Sequence, residues 1–421
     1  MTGDLPFFDF RDLSAAALAD PYPVYRPYRE LDPVHRVPGA GAGDGAADTW
    51  FVFRHDDVSA VLNGAVFDRG TSTKRTPMVP EGLPALRRMV DDWLVFMDPP
   101  RHTHMRNLVK HEFTPRQADA LRADITTIAG LLADQMPAGE TFDLVETFCA
   151  PFPIMVIARM LGVPWRRLDW FREVVTRLRG GIASRVGRGA DGYRVAETAT
   201  TELLDYFVEE IALRRRTPHD DVITRLVAAA DQRAAITDGE IAAMSIHLLV
   251  AGHETTTNFL AKAVLTFAAY PDVPAELRAH PERLAAAVDE LLRFDPPVQM
   301  VTRWARDTSR IGARQVQAGD KVVCVLGSAN RDPACFADPD EYVPGRPGVR
   351  HRAFGGGLHF CLGAALARVE AEIGLQALLD RQVVPTGDRV PYAQDIVFHG
   401  PSALPVRATS LPTAHRIRSQ A

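Results

Sequence analysis

Lysine is scarce in this 421-residue chain, so nearly all of its positive charge comes from arginine. The formal net charge is −5 at pH 7, and charged residues make up 24% of the chain. A nucleic-acid-binding surface needs a basic stripe or patch, so this balance indicates no nucleic-acid partner. The four lysines are Lys74, Lys110, Lys262 and Lys321.

Long hydrophobic runs are also missing. The most apolar stretch, 241–251, contains His247 and is followed directly by His253 and Glu254. A membrane span needs about 20 apolar residues, so no membrane association is predicted. The opening residues, MTGDLPFFDFRDL, lack the basic region and apolar core of a signal peptide, so we expect a cytoplasmic protein.

Cysteine is limited to Cys149, Cys324, Cys335 and Cys361, and no two of them form a C-x-x-C pair. This pattern argues against a zinc ribbon and against a dithiol redox site. Cytosolic thiols stay reduced, so a disulfide framework is not expected either. Cys361 differs from the other three because of the residues around it.

Helical periodicity dominates the chain. Thr237 and Glu240 form a capping-box pattern before a run that Pro271 ends, which predicts one unusually long helix over 237–270. A helix over 99–113 is predicted with Asp98 as its cap. Further helices are predicted over 115–136, 146–161, 201–215, 281–294 and from just after Cys361 to about 380.

Predicted strands are few and short, over 50–53, 299–304 and 321–326 and after residue 390. Gly-rich loops are predicted over 39–45 and 180–192. Because no repeat or shift in composition marks a boundary, we expect a single domain over 1–421. Its fold class is predicted as mainly α with a small β subdomain, β-rich near 30–70, 298–330 and 385–408.

The most informative stretch is FGGGLHFCLG, which runs from Phe354 to Gly363. A helix start and nearby amide groups favour a thiolate at Cys361, and glycines let a flat ligand approach the backbone. A thiolate is a soft, electron-donating iron ligand. The alternative from the residues alone is a buried cysteine after a Gly-rich loop. However, F-G-x-G-x-H-x-C-x-G is matched at every defined position.

This stretch resembles the haem-binding loop of a bacterial cytochrome P450. The resemblance implies that Cys361 is the axial iron ligand and that Phe354 packs beside its sulfur. It also implies that His359 reaches a haem propionate and that Gly355 and Gly363 contact the cofactor.

Within the long helix, Ala251-Gly252-His253-Glu254-Thr255-Thr256 places small residues beside an acid and an alcohol. Glycine in mid-helix costs about 1 kcal/mol relative to alanine, which suggests a close approach or a kink. The alternative is a packed helix with an incidental polar face. The segment resembles the family's A-G-x-[DE]-T groove. That implies cofactor contact by Ala251 and Gly252 and proton delivery by Glu254 and Thr255 during dioxygen activation.

Basic residues with helical spacing suggest further cofactor contacts. His102 and Arg106 are four residues apart and share a helix face, and both can donate to carboxylates. The alternative is a basic turn on the surface. The surrounding segment resembles the family's second haem-contacting helix, which implies that both residues contact a propionate. Arg303 matches another propionate-binding arginine of the family.

Glu290 and Arg293 place opposite charges three residues apart on one helix face. By themselves they read as an exposed pair of little energetic worth. The resemblance implies instead a buried pair joined by a downstream arginine, which corresponds to Arg346 here. This trio is therefore predicted to be structural.

The substrate pocket is predicted to have a mainly apolar wall. His247, one turn before Ala251, is hypothesised to hydrogen-bond a polar group of the substrate, although a core histidine is the favoured interpretation. The Gly-rich segment 180–192 is interpreted as a lid. The remaining wall residues implied by the resemblance are Trp93, Leu94, Phe96, Val298, Val301 and Phe398.

The resemblance implies a monooxygenase that carries haem b and hydroxylates or epoxidises a small organic substrate, with natural-product biosynthesis as the expected setting. The chain is too short to include a reductase domain. We therefore expect electrons from NAD(P)H through a ferredoxin and its reductase, and a monomeric enzyme. The alternatives are a haem-thiolate enzyme of another outcome, such as a peroxygenase or a phenol-coupling enzyme, and a non-catalytic relative that binds another enzyme.

Overall fold

A computed structural model describes residues 5–10, 13–39, 47–70, 79–182, 190–233, 236–387 and 389–409. Its described part is mainly helical with a smaller β region, as predicted. The α-helices are α1 Ala15–Ala19, α2 Tyr22–Leu31, α3 His55–Asn63, α4 Pro84–Asp91, α5 Arg101–Val109, α6 Pro115–Ala120, α7 Arg122–Asp134, α8 Pro151–Met160, α9 Leu168–Ile182, α10 Ala190–Arg216, α11 Val222–Arg233, α12 Asp238–Ala269, α13 Asp272–Ala279, α14 Leu284–Phe294, α15 Leu326–Ala329 and α16 Ala364–Asp380.

The strands are β1 Val34–Val37, β2 Thr49–Val52, β3 Phe67–Asp68, β4 Thr141–Asp143, β5 Met300–Ala305, β6 Ser309–Ile311, β7 Arg314–Val316, β8 Lys321–Val325, β9 Val384–Pro385 and β10 Pro405–Arg407. They form one larger sheet and two small ones. The five-stranded sheet has the order β1-β2-β8-β5-β3, in which β2 and β8 are parallel and the other pairs antiparallel. A three-stranded sheet has the order β4-β10-β9, and β6 pairs with β7.

Helix α12 crosses the core, as its sequence pattern predicts. Thr237 accepts from the Glu240 amide and Glu240 accepts from the Thr237 amide, which completes the capping box. At 1.5 Å per residue, the 32 residues of α12 span about 48 Å. Helices α8, α10 and α16 pack along it, so α12 is buried over most of its length. Among the described residues, no helix is both long and apolar enough to cross a membrane.

Several predicted helices are divided in the structure. The segment 99–113 is α5 followed by a 3-10 turn over Lys110–Phe113. Asp98 does not cap it, because Asp98 Oδ1 accepts from the Arg69 amide at 2.7 Å. The segment 115–136 is interrupted at Leu121 between α6 and α7.

The segment 146–161 begins as a π-helix over Val145–Cys149 and continues as α8. Prolines 151 and 153 lack amide donors, so the hydrogen-bond pattern shifts where α8 begins. The predicted helix 281–294 opens with a 3-10 turn over Pro281–Arg283, and the segment 201–215 lies inside the longer α10.

The predicted Gly-rich loops fall partly outside the described residues. Of the segment 180–192, the flanks belong to α9 and α10, and 183–189 is not described. Of the segment 39–45, only Gly39 is described. The prediction of a loop over 180–192 is therefore wrong for its flanks, which are helical, and the interpretation of the segment as a lid stays a prediction.

Candidate active site

A cavity of about 1190 Å³ lies between α12, the cysteine loop, α5 and β5. Ordinary ligand pockets measure roughly 300–1,000 Å³, so this space can hold a large cofactor together with a substrate. Its walls bring together residues from segments far apart in the chain. The predicted residues on its walls are Trp93, Leu94, Phe96, His102, Arg106, His247, Ala251, Gly252, Glu254, Thr255, Val298, Val301, Arg303, Phe354, Gly355, His359, Cys361, Gly363 and Phe398.

The cysteine loop is shaped by glycines with positive φ. Gly357 has φ +63°, and a Cβ atom on it would lie 2.3 Å from the backbone oxygen of Leu62, so only glycine fits. Gly355 has φ +71°, and its amide donates to the Arg352 carbonyl at 2.8 Å. The Cys361 amide donates to the Phe354 carbonyl at 3.0 Å, which closes the loop.

Cys361 lies three residues before α16, which follows the cysteine as predicted. Enclosure by protein raises the pKa of its thiol, whereas a hydrogen bond from the Gly363 amide and the charges of Arg106 and Arg368 lower it. The groups that favour a thiolate are therefore in place around the sulfur, while its apolar surroundings disfavour the charge. The Arg368 guanidinium lies 4.6 Å from the centre of the Phe354 ring.

On α12, Ala251, Gly252, Glu254 and Thr255 line the same cavity. Thr255 Oγ1 donates to the Ala251 carbonyl at 3.2 Å. A Cβ on Gly252 would lie 2.7 Å from Ile157 Cγ1, so close packing against α8 explains the mid-helix glycine. The structure therefore shows the predicted close approach, in a helix whose hydrogen-bonded span continues through Gly252.

Five basic side chains converge at one end of the cavity: His102, Arg106, Arg303, His359 and Arg69. His102 is 1% exposed, its ring centre is 4.2 Å from that of His359, and burial lowers its pKa to about 4. Within the described part of the chain, neither ring nitrogen of His102 has a hydrogen-bond partner. Arg106 donates to the Phe360 carbonyl at 2.8 Å. Arg303 is buried and donates to the Thr302 carbonyl at 3.0 Å.

Arg69, which the sequence analysis did not identify, belongs to this basic cluster. It is buried, lines the cavity and donates through Nη1 to the same Thr302 carbonyl as Arg303. Burial, and secondarily the charge of Arg303, lower its pKa to about 9. No motif marks this residue; a lone arginine directly after strand β3 was its only signal.

Glu370 is a second residue that the sequence analysis missed. It lies on α16, is 2% exposed, lines the cavity and receives a side-chain hydrogen bond from Thr256. Burial raises its pKa to about 8. An acid on the apolar face of a predicted helix, near Leu366 and Val369, was the available signal.

The substrate-side wall is apolar and carries one imidazole. Val298 and Phe398 form an isolated antiparallel β-bridge, which joins two segments that are distant in the sequence at this wall. His247 is 8% exposed and stacks on Trp93, with ring centres 5.2 Å apart and planes at 16°. Trp93 in turn stacks on Phe96.

The charged trio lies outside the cavity walls. Glu290 and Arg293 are both 0% exposed, and two Arg293 nitrogens donate to the two carboxylate oxygens at 2.8 Å. Arg346 Nε donates to Glu290 Oε1 at 2.9 Å. The structure therefore brings these three predicted residues together, and the exposed-pair interpretation is wrong.

The cavity, the cysteine loop and the acid–alcohol pair describe a haem-thiolate oxygenase. The family model "Cytochrome P450" matches residues 190–391. The chain is 35% identical over 416 residues to cytochrome P450 monooxygenase PikC of Streptomyces venezuelae, covering 96% of this chain and 95% of that one. It is 35% identical over 407 residues to the mycinamicin IV hydroxylase/epoxidase of Micromonospora griseorubida, covering 95% and 98%. The tirandamycin C-bound P450 monooxygenase TamI superposes with a TM-score of 0.81 at 32% identity, covering 94% and 99%.

The chain therefore belongs to the cytochrome P450 family and is an oxidoreductase that incorporates oxygen into its substrate. Membership implies a haem, redox partners and a small-molecule substrate. The charges present fit a haem. Arg69 and Arg303 interact electrostatically with the carboxylate of Asp98, and Arg106 adds a third guanidinium group to the same cavity wall. Three positive charges and one negative charge leave two positive charges for two propionates.

Proposed function

We propose that this protein hydroxylates or epoxidises a small organic molecule in natural-product biosynthesis. One observation carries the proposal: Cys361 and the Glu254–Thr255 pair line the same large cavity. When bound, a haem with a thiolate ligand supplies the chemistry of dioxygen activation and O–O cleavage. The protein's own residues hold that group, exclude water and move protons.

Cys361 would bind the iron, and the basic cluster would hold the propionates. Arg69 and Arg303 share the Thr302 carbonyl, so each has donors left for an anion. We assign His102, Arg106, Arg303 and His359 to the propionates, as the resemblance implies, and add Arg69 to them. Ala251, Gly252, Phe354, Gly355 and Gly363 would contact the porphyrin.

Proton delivery is assigned to Glu254 and Thr255. A carboxylic acid and a hydroxyl one residue apart can pass a proton toward the reacting oxygen, which is general acid catalysis. Glu370 lies against the neighbouring Thr256 and keeps its proton near neutral pH, so it offers a second acid at the same wall. The hydrogen bond from the Thr255 hydroxyl to the Ala251 carbonyl orients that hydroxyl.

The natural-product setting is supported by the names of the relatives. One is a mycinamicin IV hydroxylase/epoxidase and another a cyclomarin C epoxidase. The cavity wall offers this chain's substrate a mainly apolar surface, formed by Trp93, Leu94, Phe96, Val298, Val301 and Phe398. The cysteine, the acid and the alcohol support monooxygenation over the peroxygenase and non-catalytic alternatives.

Electron supply is proposed to come from NAD(P)H through a ferredoxin and its reductase. A monomeric state and a cytoplasmic location remain predictions, which gel filtration and cell fractionation test.

The decisive experiment is a carbon monoxide difference spectrum of the reduced protein, with Cys361→Ser as the variant. We expect a thiolate-type Soret shift that the variant loses, with exposed Cys335→Ser as the control that keeps it. An unchanged spectrum in Cys361→Ser would reject the ligand assignment. Oxygen consumption with a ferredoxin and its reductase, without added peroxide, then separates a monooxygenase from a peroxygenase.

A further inference from the structure

His247 is the one imidazole on the substrate-side wall, among the residues the structure describes there. It lies in an apolar stretch of α12 and lines the cavity. Burial lowers its pKa to about 4, and no charged group contributes to that shift. The ring is therefore neutral at physiological pH and carries one hydrogen-bond donor and one acceptor.

Within the described ranges of the chain, neither the donor nor the acceptor of the His247 ring forms a hydrogen bond. The Nδ1 atom is buried and has no hydrogen-bond partner there, while the ring stacks on Trp93. A buried polar group without a partner is unfavourable, and such groups in native proteins usually meet a ligand or water. The stack on Trp93 holds the ring flat, so its nitrogens keep a defined direction.

Helix geometry fixes the distance from this imidazole to the proton-delivery pair. His247, Ala251, Glu254 and Thr255 follow the spacing i, i+4, i+7 and i+8, so they share one face of α12. Eight residues at 1.5 Å separate His247 from Thr255 by about 12 Å along the axis. All side chains on the helix tilt in the same direction, so this separation carries over to the groups themselves.

We infer that His247, held by Trp93, is a specificity-determining residue that binds a neutral carbonyl or hydroxyl oxygen of the substrate, roughly 10–12 Å from the carbon that is oxidised. The inference rests on the proposed function, because it takes Glu254 and Thr255 as the place of reaction. It names the substrate class as a large, mainly apolar molecule with an uncharged oxygen at its far end. Charged ends are disfavoured because no charged group among the described residues contributes to the pKa shift of His247, so none lies beside it to compensate their desolvation.

A rigid probe pair tests both parts of the inference. The ketone 5α-androstan-3-one and the hydrocarbon 5α-androstane share one apolar skeleton, and bond lengths place the ketone oxygen roughly 10 Å from the far ring. Dissociation constants for both are measured by calorimetry on haem-loaded wild type and on His247→Phe. The phenyl ring keeps the volume and the stack but removes both nitrogens. His280→Phe makes the same change at an exposed position outside the cavity walls and serves as the matched control.

We expect His247→Phe to weaken ketone binding about 3- to 10-fold and to leave hydrocarbon binding unchanged, which corresponds to one hydrogen bond. His280→Phe should change neither. His247→Gln, which restores a donor and an acceptor, should recover part of the preference for the ketone. Equal loss for both ligands, or no preference for the ketone in wild type, overturns the inference.

Product analysis tests the distance. Oxidation of the ketone at the ring opposite the carbonyl supports the spacing, and oxidation beside the carbonyl overturns it. Trp93→Leu should retain part of the preference for the ketone over the hydrocarbon. It should also spread oxidation over more positions, because the imidazole of His247 no longer stacks on an indole ring. The binding measurements remain interpretable if the carbon monoxide spectrum lacks a thiolate signal, so failure of the proposed function is recognised separately.

Discussion

Glu290→Gln removes one negative charge from the most completely buried ion cluster described above. Glu290 accepts four hydrogen bonds: two from Arg293 at 2.8 Å, one from Arg346 at 2.9 Å and one from the Val343 amide at 3.1 Å. The variant keeps the shape of the side chain but leaves two guanidinium groups without a counter-charge. Its amide NH₂ also faces an arginine donor, so one hydrogen bond becomes a donor–donor contact.

The expected loss follows from this geometry. Breaking a buried ion pair by removing one partner costs about 3–5 kcal/mol, because the remaining charge stays desolvated. A folded protein has only about 5–15 kcal/mol of stability, so the variant should fold but unfold at a much lower urea concentration. The backbone carbonyls of Asn330, Pro339 and Glu341, which also accept from Arg293, limit the loss to this range.

Urea unfolding followed by far-ultraviolet circular dichroism measures the change, with linear extrapolation to water. Glu276→Gln is the matched control, because Glu276 pairs with Arg283 where both side chains are exposed. The control should change the free energy of unfolding by less than about 1 kcal/mol. If Glu290→Gln also costs less than about 1 kcal/mol, the reasoning from desolvated charge is refuted.

Three further predictions follow from single contacts. Arg69→Met should speed haem transfer to apomyoglobin, whereas exposed Arg310→Met should not; equal rates would remove Arg69 from the propionate site. Glu370 keeps its proton in the folded state up to about pH 8 but loses it near pH 4.5 when unfolded, so the free energy of unfolding should fall from pH 5 to pH 8. Glu370→Gln should flatten that dependence in urea titrations, and parallel curves would contradict the raised pKa. Gly357→Ala should lower the free energy of unfolding by about 1–3 kcal/mol because of its positive φ and the Leu62 carbonyl, while Gly130→Ala, with open space, should not.

Local rules predicted the long helix and the strands well. A capping box at Thr237 and a proline at 271 set the ends of α12 to within one residue. The predicted strands 50–53, 299–304 and 321–326 each agree with β2, β5 and β8 to within one residue. Strand β4 was missed, because its three residues carry little pattern without their partner β10.

Local sequence patterns failed to predict the structure where tertiary packing selects between backbone conformations of similar energy. Nothing at Leu121 resembles a helix stop, yet the helix divides there. Asp98 has the side chain of a good cap, but in the folded chain its carboxylate accepts from the amide of Arg69. In both places the competing conformations differ by less energy than a few tertiary contacts supply.

From the sequence alone, the residues and the family resemblance that they carry predicted the cysteine loop, the acid–alcohol pair and the basic residues His102, Arg106 and Arg303, and the structure places all of them on one cavity wall. The cysteine loop and the acid–alcohol pair each lie within about ten consecutive residues, whereas Arg303 was predicted only because the resemblance implies it. Tertiary structure alone decided that Arg69 and Arg303 share one carbonyl, that Glu370 meets Thr256, and that His247 lies flat on Trp93. Desolvation and stacking depend on which distant segments pack together, and no local pattern encodes that choice.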